Sequence, residues 1–157
     1  MPGPLHDHVA EHINRVILGQ LDDFIKQVGT KTAELAGSIY PLGSADVKFP
    51  SRLTGNKNKK GPDKSYGHEP CDGYPPLVIE VAWSQNCLDL RKLAKRYIQG
   101  TKGTIGTVIG IDLQYWRPNE AAPGTPASFS IWRAGQPNQR GVPSVIQSDE
   151  RVRNPAV

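Results

Sequence analysis

The apolar run Leu77–Trp83 (LVIEVAW) carries one acidic side chain, Glu80, among residues that otherwise suit the interior of a β-sheet. A strand that is apolar on both faces is typical of a sheet that is covered on both sides. An ionised carboxylate in such a strand is costly unless it is paired, hydrogen-bonded or bound to a metal. The run therefore predicts a central strand in which Glu80 has a specific partner, and a metal ion is our first hypothesis for that partner.

The segments on either side of this strand predict an α/β fold. Apolar residues recur at three- and four-residue steps from His6 to Val28 and from Leu88 to Gln99, which predicts two amphipathic helices. A further apolar strand is predicted from Thr107 to Trp116. The connection between the two apolar strands has the length of a βαβ crossover, so we expect those strands to be parallel.

Shorter segments complete the predicted fold. We expect a helical turn at Lys31–Ala36, an extended segment from Ile39, and short strands at Ser44–Phe49, Gly61–His68, Phe129–Arg133 and Val142–Ile146. The early strands follow short connections and should be antiparallel. The prediction is a single α/β domain over residues 1–133, with a mixed β-sheet flanked by helices, followed by a polar, loosely ordered segment over residues 134–157.

The composition narrows the classes of partner and compartment. The chain has 157 residues, a formal net charge of +4 and a pI near 9.1. This balance weakly favours a polyanion such as nucleic acid as partner. Cys71 and Cys87 lack zinc-site spacing, so we expect reduced thiols. No apolar run approaches the roughly 20 residues that a membrane-spanning helix needs, and the N-terminus lacks a signal-peptide core, so we expect an intracellular protein without a membrane partner.

A second acidic residue is placed to act together with Glu80. Asp63 follows Pro62 at the start of a predicted strand, and Glu80 lies on the next strand after a turn-rich loop. Two carboxylates held side by side at a sheet can bind Mg²⁺, which prefers oxygen ligands and keeps several waters. With a lysine nearby, such a set suits attack by water on a phosphodiester.

The order of these motifs resembles the PD-(D/E)XK, or restriction-endonuclease-like, superfamily. The resemblance is carried by Pro62-Asp63, the run PLVIEV at Pro76–Val81, Ser84-Gln85, the lysine-bearing helix that ends in Tyr97, and the VIGIDLQY strand. The resemblance covers roughly Gly43 to Tyr115. Within the superfamily, this segment is similar to a short fungal and bacterial branch in which an EVxxS strand motif replaces the E-x-K motif.

This resemblance implies a restriction-endonuclease-like mixed sheet and a Mg²⁺- or Mn²⁺-dependent nuclease. Asp63 and Glu80 would be the metal ligands, and DNA is expected as substrate rather than RNA. Many enzymes of this fold act as dimers, which makes a homodimer one candidate assembly, although the sequence carries no interface signature.

The chain departs from the family pattern at the catalytic lysine. That lysine should stand two residues after Glu80, where this sequence has Ala82. In related branches the lysine lies on the following helix, so Lys92 or Lys95 could supply the charge, and Lys64 and Lys48 are further substitutes. The helical spacing, however, places Lys92 and Lys95 on the side opposite the apolar stripe.

Other polar residues are candidates for supporting roles. The loop lysines Lys57, Lys59 and Lys60, together with Lys64, predict either a basic hairpin that contacts phosphate or a solvated turn. Gln85 could hydrogen-bond a water of the metal or cap the next helix, and Asp46 is a further candidate ligand.

Three alternatives to an active metal site remain open at this stage. Glu80 could form a structural ion pair with a lysine or arginine of the core. The chain could also be a catalytically inactive nuclease fold that still binds nucleic acid, which Ala82 favours. Finally, His8 and His12 have the i, i+4 spacing of a helical metal site, but without a partner motif we favour a solvated helix end.

Overall fold

The computed structural model describes residues 4–49, 59–69, 73–83, 89–113 and 127–151. It is a single α/β domain with a mixed six-stranded sheet and a separate two-stranded sheet. The helices are α1 (Pro4–Gln27), α2 (Thr30–Gly37) and α3 (Leu90–Gly100). The strands are β1 (Ile39–Pro41), β2 (Val47–Lys48), β3 (Lys59–Lys60), β4 (Lys64–His68), β5 (Leu77–Trp83), β6 (Thr107–Leu113), β7 (Ala127–Pro137) and β8 (Pro143–Arg151).

The main sheet has the order β1-β4-β5-β6-β7-β8, so β5 is an interior strand as predicted. β5 and β6 are parallel and are joined through α3, whereas every other neighbouring pair in this sheet is antiparallel. Glu80 lies opposite Gly110 of β6. A Cβ at Gly110 would come within 2.6 Å of the Trp132 ring, so glycine is required where β6 passes beneath that indole.

The hydrophobic core lies between α3 and one face of the sheet. Leu93, Ala94, Tyr97 and Ile98 of α3 are buried, and the residues that they join in the core include Val78, Val108 and Trp132. The sequence predicts a buried stripe of Leu90, Leu93, Ala94 and Tyr97, and this is confirmed except that Leu90 is only partly buried and Ile98 is added. The helix begins two residues later than predicted because Asp89 is its N-cap, where the carboxylate accepts a hydrogen bond from the backbone N–H of Lys92 at 2.9 Å.

Helix α1 is confirmed, but much of its apolar stripe is not covered. His6 and Ala10 are buried, whereas Val16 and Phe24 are 50% and 48% exposed. A helix of 24 residues is about 36 Å long, and the seven residues of β5 extend only about 23 Å. The C-terminal half of α1 therefore runs beyond the strand that its first turns contact.

The structure differs from the prediction in the length of the strand at Ser44–Phe49 and in the position of the C-terminal boundary of the domain. The strand predicted at Ser44–Phe49 is reduced to β2, which pairs with β3 rather than joining the main sheet. The boundary expected at Arg133 lies inside β7, and β8 pairs with β7 along the sheet edge, so residues 143–151 are ordered strand rather than loose chain. A register irregularity between Ala134 and Pro137 interrupts this pairing, which explains why the sequence shows no clean alternation there. Residues 152–157 lie outside the described ranges.

No helix in the described part of the chain combines the length and the apolar composition needed to cross a membrane.

Candidate functional site

An open cleft of about 660 Å³ lies where the first turns of α1 meet β3 and the start of β4. Its polar lining includes His6, Glu11, Lys60, Asp63 and Lys64. Three of these residues, namely Lys60, Asp63 and Lys64, are among the predicted site residues. The structure thus brings together side chains from α1 and from two different sheets.

Glu80 lies beneath this cleft and is almost completely buried, with 1% of its side chain exposed. The Tyr97 hydroxyl donates a hydrogen bond to Oε1 at 2.6 Å, and the Lys60 ammonium donates to Oε2 at 3.2 Å. Burial raises the pKa of Glu80, the nearby charge of Asp63 acts in the same direction, and Tyr97 and Lys60 oppose the shift. Glu80 therefore has two protein donors, one phenolic and one cationic, and the contact with Lys60 is the ion pair that the sequence left open as an alternative to a metal.

Tyr97 is fixed as a donor in this arrangement. Burial, together with the charge of Glu80 and the hydrogen bond to it, raises the pKa of Tyr97 far above its usual value. The phenol therefore stays protonated, and it holds one carboxylate oxygen of Glu80 in place from the inner face of α3. Sequence reasoning assigned Tyr97 to the core stripe, which is correct, but it could not show where the hydroxyl points.

Asp63 is held against the backbone of β5. Its N–H donates to the carbonyl of Ile79 at 3.1 Å, and its Oδ2 accepts from the N–H of Val81 at 2.7 Å. The same oxygen lies 3.2 Å from Nε2 of His6. Oδ1 accepts no hydrogen bond from the described part of the chain, and the side chain is 17% exposed at the cleft. One oxygen of Asp63 is thus anchored while the other is available to a ligand.

His6 is the site residue that sequence reasoning missed. Its Nε2 is 3.0 Å from the carbonyl of Val81, and its Nδ1 is 3.1 Å from the carboxylate of Asp7. Burial alone would lower the pKa of His6, but the hydrogen bond to Asp7, the charge of Asp63 and the Val81 carbonyl outweigh it, and the pKa is raised. With acceptors at both nitrogens, His6 is a donor that orients Asp63 rather than a metal ligand.

The other two histidines of α1 are exposed. His8 and His12 both face solvent, which agrees with the solvated helix end that we favoured. The histidine that reaches the site, His6, is distinguished by its position in the first turn of α1, where the helix contacts β5. The spacing of histidines within the helix does not predict such a contact, because the contact depends on how α1 packs against the sheet.

The structure corrects the assignment of the lysine. Lys92 and Lys95 lie on the exposed outer face of α3, and the Lys92 ammonium pairs with Asp89 at 3.0 Å. Lys60 is instead the lysine at Glu80. Leu93, Ala94 and Tyr97 face the core, so the helix directs Lys92 and Lys95 away from Glu80.

The remaining predicted residues occupy separate positions. Lys64 pairs with Glu11 of α1 at 2.7 Å at the mouth of the cleft, and this hydrogen bond lowers the pKa of Glu11. Lys59 pairs with Asp46 at 2.7 Å, so Asp46 belongs to an exposed ion pair of the small sheet rather than to the cleft. Lys57 and Gln85 lie outside the described ranges.

The donor chemistry of the site fits a hard divalent cation that keeps several waters. Oδ1 of Asp63 is available, and Oε2 of Glu80 accepts a hydrogen bond from the ammonium of Lys60, whose side chain is 32% exposed. Mg²⁺ is commonly bound by one or two carboxylates together with water and substrate oxygens. Within the described ranges, no group of three or more histidine, cysteine, aspartate or glutamate side chains is placed to hold a metal, so a closed structural metal site is not formed there.

Comparison of the chain with protein-family models, with characterised proteins and with solved structures finds no match. The resemblance to the PD-(D/E)XK superfamily therefore rests on the motif residues themselves. The function has to be inferred from the geometry around Asp63, Glu80 and Lys60.

Proposed function

We propose that this protein is a Mg²⁺- or Mn²⁺-dependent nuclease that hydrolyses phosphodiester bonds of nucleic acid, with DNA as substrate rather than RNA. The observation that carries the proposal is the burial of Glu80 close to Asp63 beneath an open cleft. Two neighbouring carboxylates repel each other when both are ionised, unless a cation lies between them. A protein that needed only a stable sheet would gain more from an apolar residue at position 80.

Asp63 and Glu80 are the residues that would hold the cation. When bound, the cation would lower the pKa of a coordinated water and neutralise charge on the phosphate. His6 and the Val81 N–H fix Asp63 from one side, and Tyr97 fixes Glu80 from the other. Contacts with α1, α3 and β5 thus orient both carboxylates, Asp63 in the short connection between β3 and β4 and Glu80 on β5.

Lys60 takes the part that the family pattern gives to the lysine after the glutamate. Its ammonium is already 3.2 Å from Glu80 and also donates to the carbonyl of Gly61 at 2.8 Å. Lys60 lines the cleft and its side chain is 32% exposed, so its ammonium would be within reach of a phosphate there and would stabilise the charge that develops on it. This role explains how the site can function with Ala82 at the usual lysine position.

The proposal is tested by thermal unfolding with and without Mn²⁺ and Mg²⁺, with plasmid nicking measured on the same samples. We expect both cations to raise the Tm of the wild type, because ligands that bind only the native state stabilise it. Glu80→Gln and Asp63→Asn should abolish the shift and the nicking. Asp46→Asn is the matched control, since it neutralises an exposed aspartate outside the cleft.

If no cation shifts the Tm of the wild type, the metal site and the nuclease function are wrong. If the shift is equally large in Glu80→Gln and in wild type, the cation binds elsewhere and Glu80 is a structural carboxylate.

One observation favours a second candidate function, a catalytically inactive nuclease fold that binds nucleic acid. Both oxygens of Glu80 are already engaged, by Tyr97 and by Lys60. A wild type that binds duplex and cation but does not nick plasmid under any condition would support this second function instead.

A further inference from the structure

The outer face of α3 concentrates the positive charge of the protein. The segment 91–102 (RKLAKRYIQGTK) contains five cationic residues and no acidic residue, whereas the whole chain has a net charge of +4. The rest of the chain therefore carries a net charge of −1. All five cations are exposed, and they are Arg91, Lys92, Lys95, Arg96 and Lys102.

This arrangement does not serve the stability of the helix. Arg91 and Lys92 lie in the first turn of α3, where the helix dipole disfavours positive charge. Arg91 and Lys95 are four residues apart, as are Lys92 and Arg96, and like charges at this spacing repel. Asp89 offsets part of the cost through its cap and its pair with Lys92. Arg96 gains a contact with the Phe49 ring, whereas the cost at Arg91, Lys92 and Lys95 is offset only in part, and positions that break local rules in this way point to function.

The basic surface continues from α3 onto the small sheet. The Arg96 guanidinium lies over the Phe49 ring at 4.6 Å from its centroid, and that ring also contacts Tyr97. Phe49 directly follows β2, in which Lys48 stands opposite Lys59 of β3. Like charges directly opposite each other on paired strands are unfavourable as well, and the ion pair of Lys59 with Asp46 offsets only part of this cost. We call the outer face of α3 together with Lys48 and Lys59 the basic track, and its next residue is Lys60 of the cleft.

We propose that the basic track binds the phosphate backbone of a nucleic-acid duplex and leads it toward the cleft. Phosphate contacts by lysine and arginine are independent of sequence and set the register of a protein on the duplex. This inference rests on the proposed function in one respect, namely that nucleic acid is the partner. It does not require that the cleft be catalytic.

The composition of the track favours a duplex over the other polyanions. α3 lies wholly within the described residues, and its exposed side chains are all polar, while Tyr97 is buried. A helix that inserts into an anionic membrane carries exposed apolar anchors beside its cations. Proteins that bind single strands place aromatic rings where bases can stack. With neither feature present on α3, the cations are left to contact backbone phosphates.

The test compares two triple variants that lower the net charge equally. Arg91→Gln/Lys92→Gln/Lys95→Gln removes cations from the track, and Lys26→Gln/Lys31→Gln/Arg140→Gln is the matched control with exposed cations elsewhere. Binding to a labelled mixed-sequence duplex of about 30 base pairs is followed by fluorescence anisotropy in EDTA. Salt is varied between about 50 and 200 mM. Far-UV circular dichroism checks that both variants are folded, and vesicles containing phosphatidylserine are the membrane probe.

We expect the track variant to bind more weakly, and we expect the magnitude of the negative slope of log K against log salt to fall by about 3, because each phosphate that is no longer neutralised reduces that magnitude by about one unit. The control should retain the wild-type slope. Equal weakening in both variants, no weakening in either, or a wild type that binds the vesicles but not the duplex would each overturn the proposal.

The cleft is tested separately on the same variants. The track variant should keep the Mn²⁺-dependent rise in Tm, and Glu80→Gln should keep the affinity for duplex in EDTA. A track variant that loses duplex binding but keeps the Mn²⁺-dependent rise in Tm therefore supports the basic track and agrees with the proposed nuclease. A wild type that binds the duplex but shows no Mn²⁺-dependent rise in Tm overturns only the nuclease.

Discussion

Replacing Lys60 by methionine should destabilise the protein and at the same time strengthen its binding of divalent cations. The substitution keeps the long apolar stem but removes the ammonium that donates to Oε2 of Glu80 at 3.2 Å. Glu80, with 1% of its side chain exposed, would retain the Tyr97 hydroxyl as its one side-chain donor among the described residues. The substitution thus removes the charged partner of a buried carboxylate and leaves its neutral partner in place.

The size of the loss follows from the burial of the two partners. A hydrogen bond to a charged group is worth about 1.5–3 kcal/mol, and breaking a fully buried ion pair costs about 3–5 kcal/mol. Lys60 is 32% exposed, so water can partly replace it, and the lower range applies. We therefore expect a loss of about 2 kcal/mol, which for a chain of this size lowers the Tm by about 4–8 °C.

A double-mutant cycle separates this ion pair from any general effect at position 60. In the Glu80→Gln background there is no carboxylate charge to leave unpaired, so Lys60→Met should cost less than about 0.5 kcal/mol, the usual range for surface substitutions. The free energies of unfolding are measured by urea denaturation. Equal losses in both backgrounds would refute the coupling between Lys60 and Glu80.

The same variant tests whether Lys60 and a cation compete for Glu80. Without the ammonium at Oε2, Mn²⁺ should bind more tightly, and each tenfold gain in affinity adds about 1.4 kcal/mol of stabilisation at saturating cation. The Mn²⁺-dependent rise in Tm should therefore be larger in Lys60→Met than in wild type, while nicking falls. A smaller rise in the variant would refute the competition.

Three further outcomes are expected. Tyr97→Phe removes the donor to Oε1 of Glu80 and should cost about 1.5–3 kcal/mol in urea denaturation; a loss below about 0.5 kcal/mol would contradict the importance of that bond. Gly110→Ala places a methyl group against the Trp132 ring and should cost about 1–3 kcal/mol, with part of the loss recovered by Trp132→Phe. Because the native state raises the pKa of Glu80, it binds a proton more readily than the unfolded chain does. The free energy of unfolding of the wild type, measured relative to that of Glu80→Gln, should therefore be highest at pH values below the ordinary glutamate pKa of about 4.3. It should decline as the pH rises through the raised pKa of the native state. A relative free energy of unfolding that grows with pH would contradict the raised pKa.

The sequence predicted the parts of the fold that depend on periodicity. Strong apolar patterns mark β5, α3 and β6. The parallel pairing of the two strands follows from the length and handedness of the crossover that joins them through α3. Asp63 lies immediately before β4, and hydrogen bonds from Asp63 to the backbone of β5 hold it near Glu80. The sequence could not show which cation reaches Glu80, because Lys60 arrives through the pairing of β2 with β3, two strands of two residues each. Such short strands have no detectable pattern of their own.

The two faces of α3 explain why Lys92 and Lys95 do not reach Glu80, and they separate the two roles that we propose for this helix. On the inner face, Tyr97 holds Glu80, and this contact fixes the rotation of the helix about its axis. That rotation directs Lys92 and Lys95 to solvent, so they cannot also serve the carboxylates. On our proposals, a substitution on the inner face should change cation binding without changing affinity for duplex. A substitution on the outer face should do the reverse, and the separation of these two effects along one helix would be difficult to obtain if its cations were merely solvated.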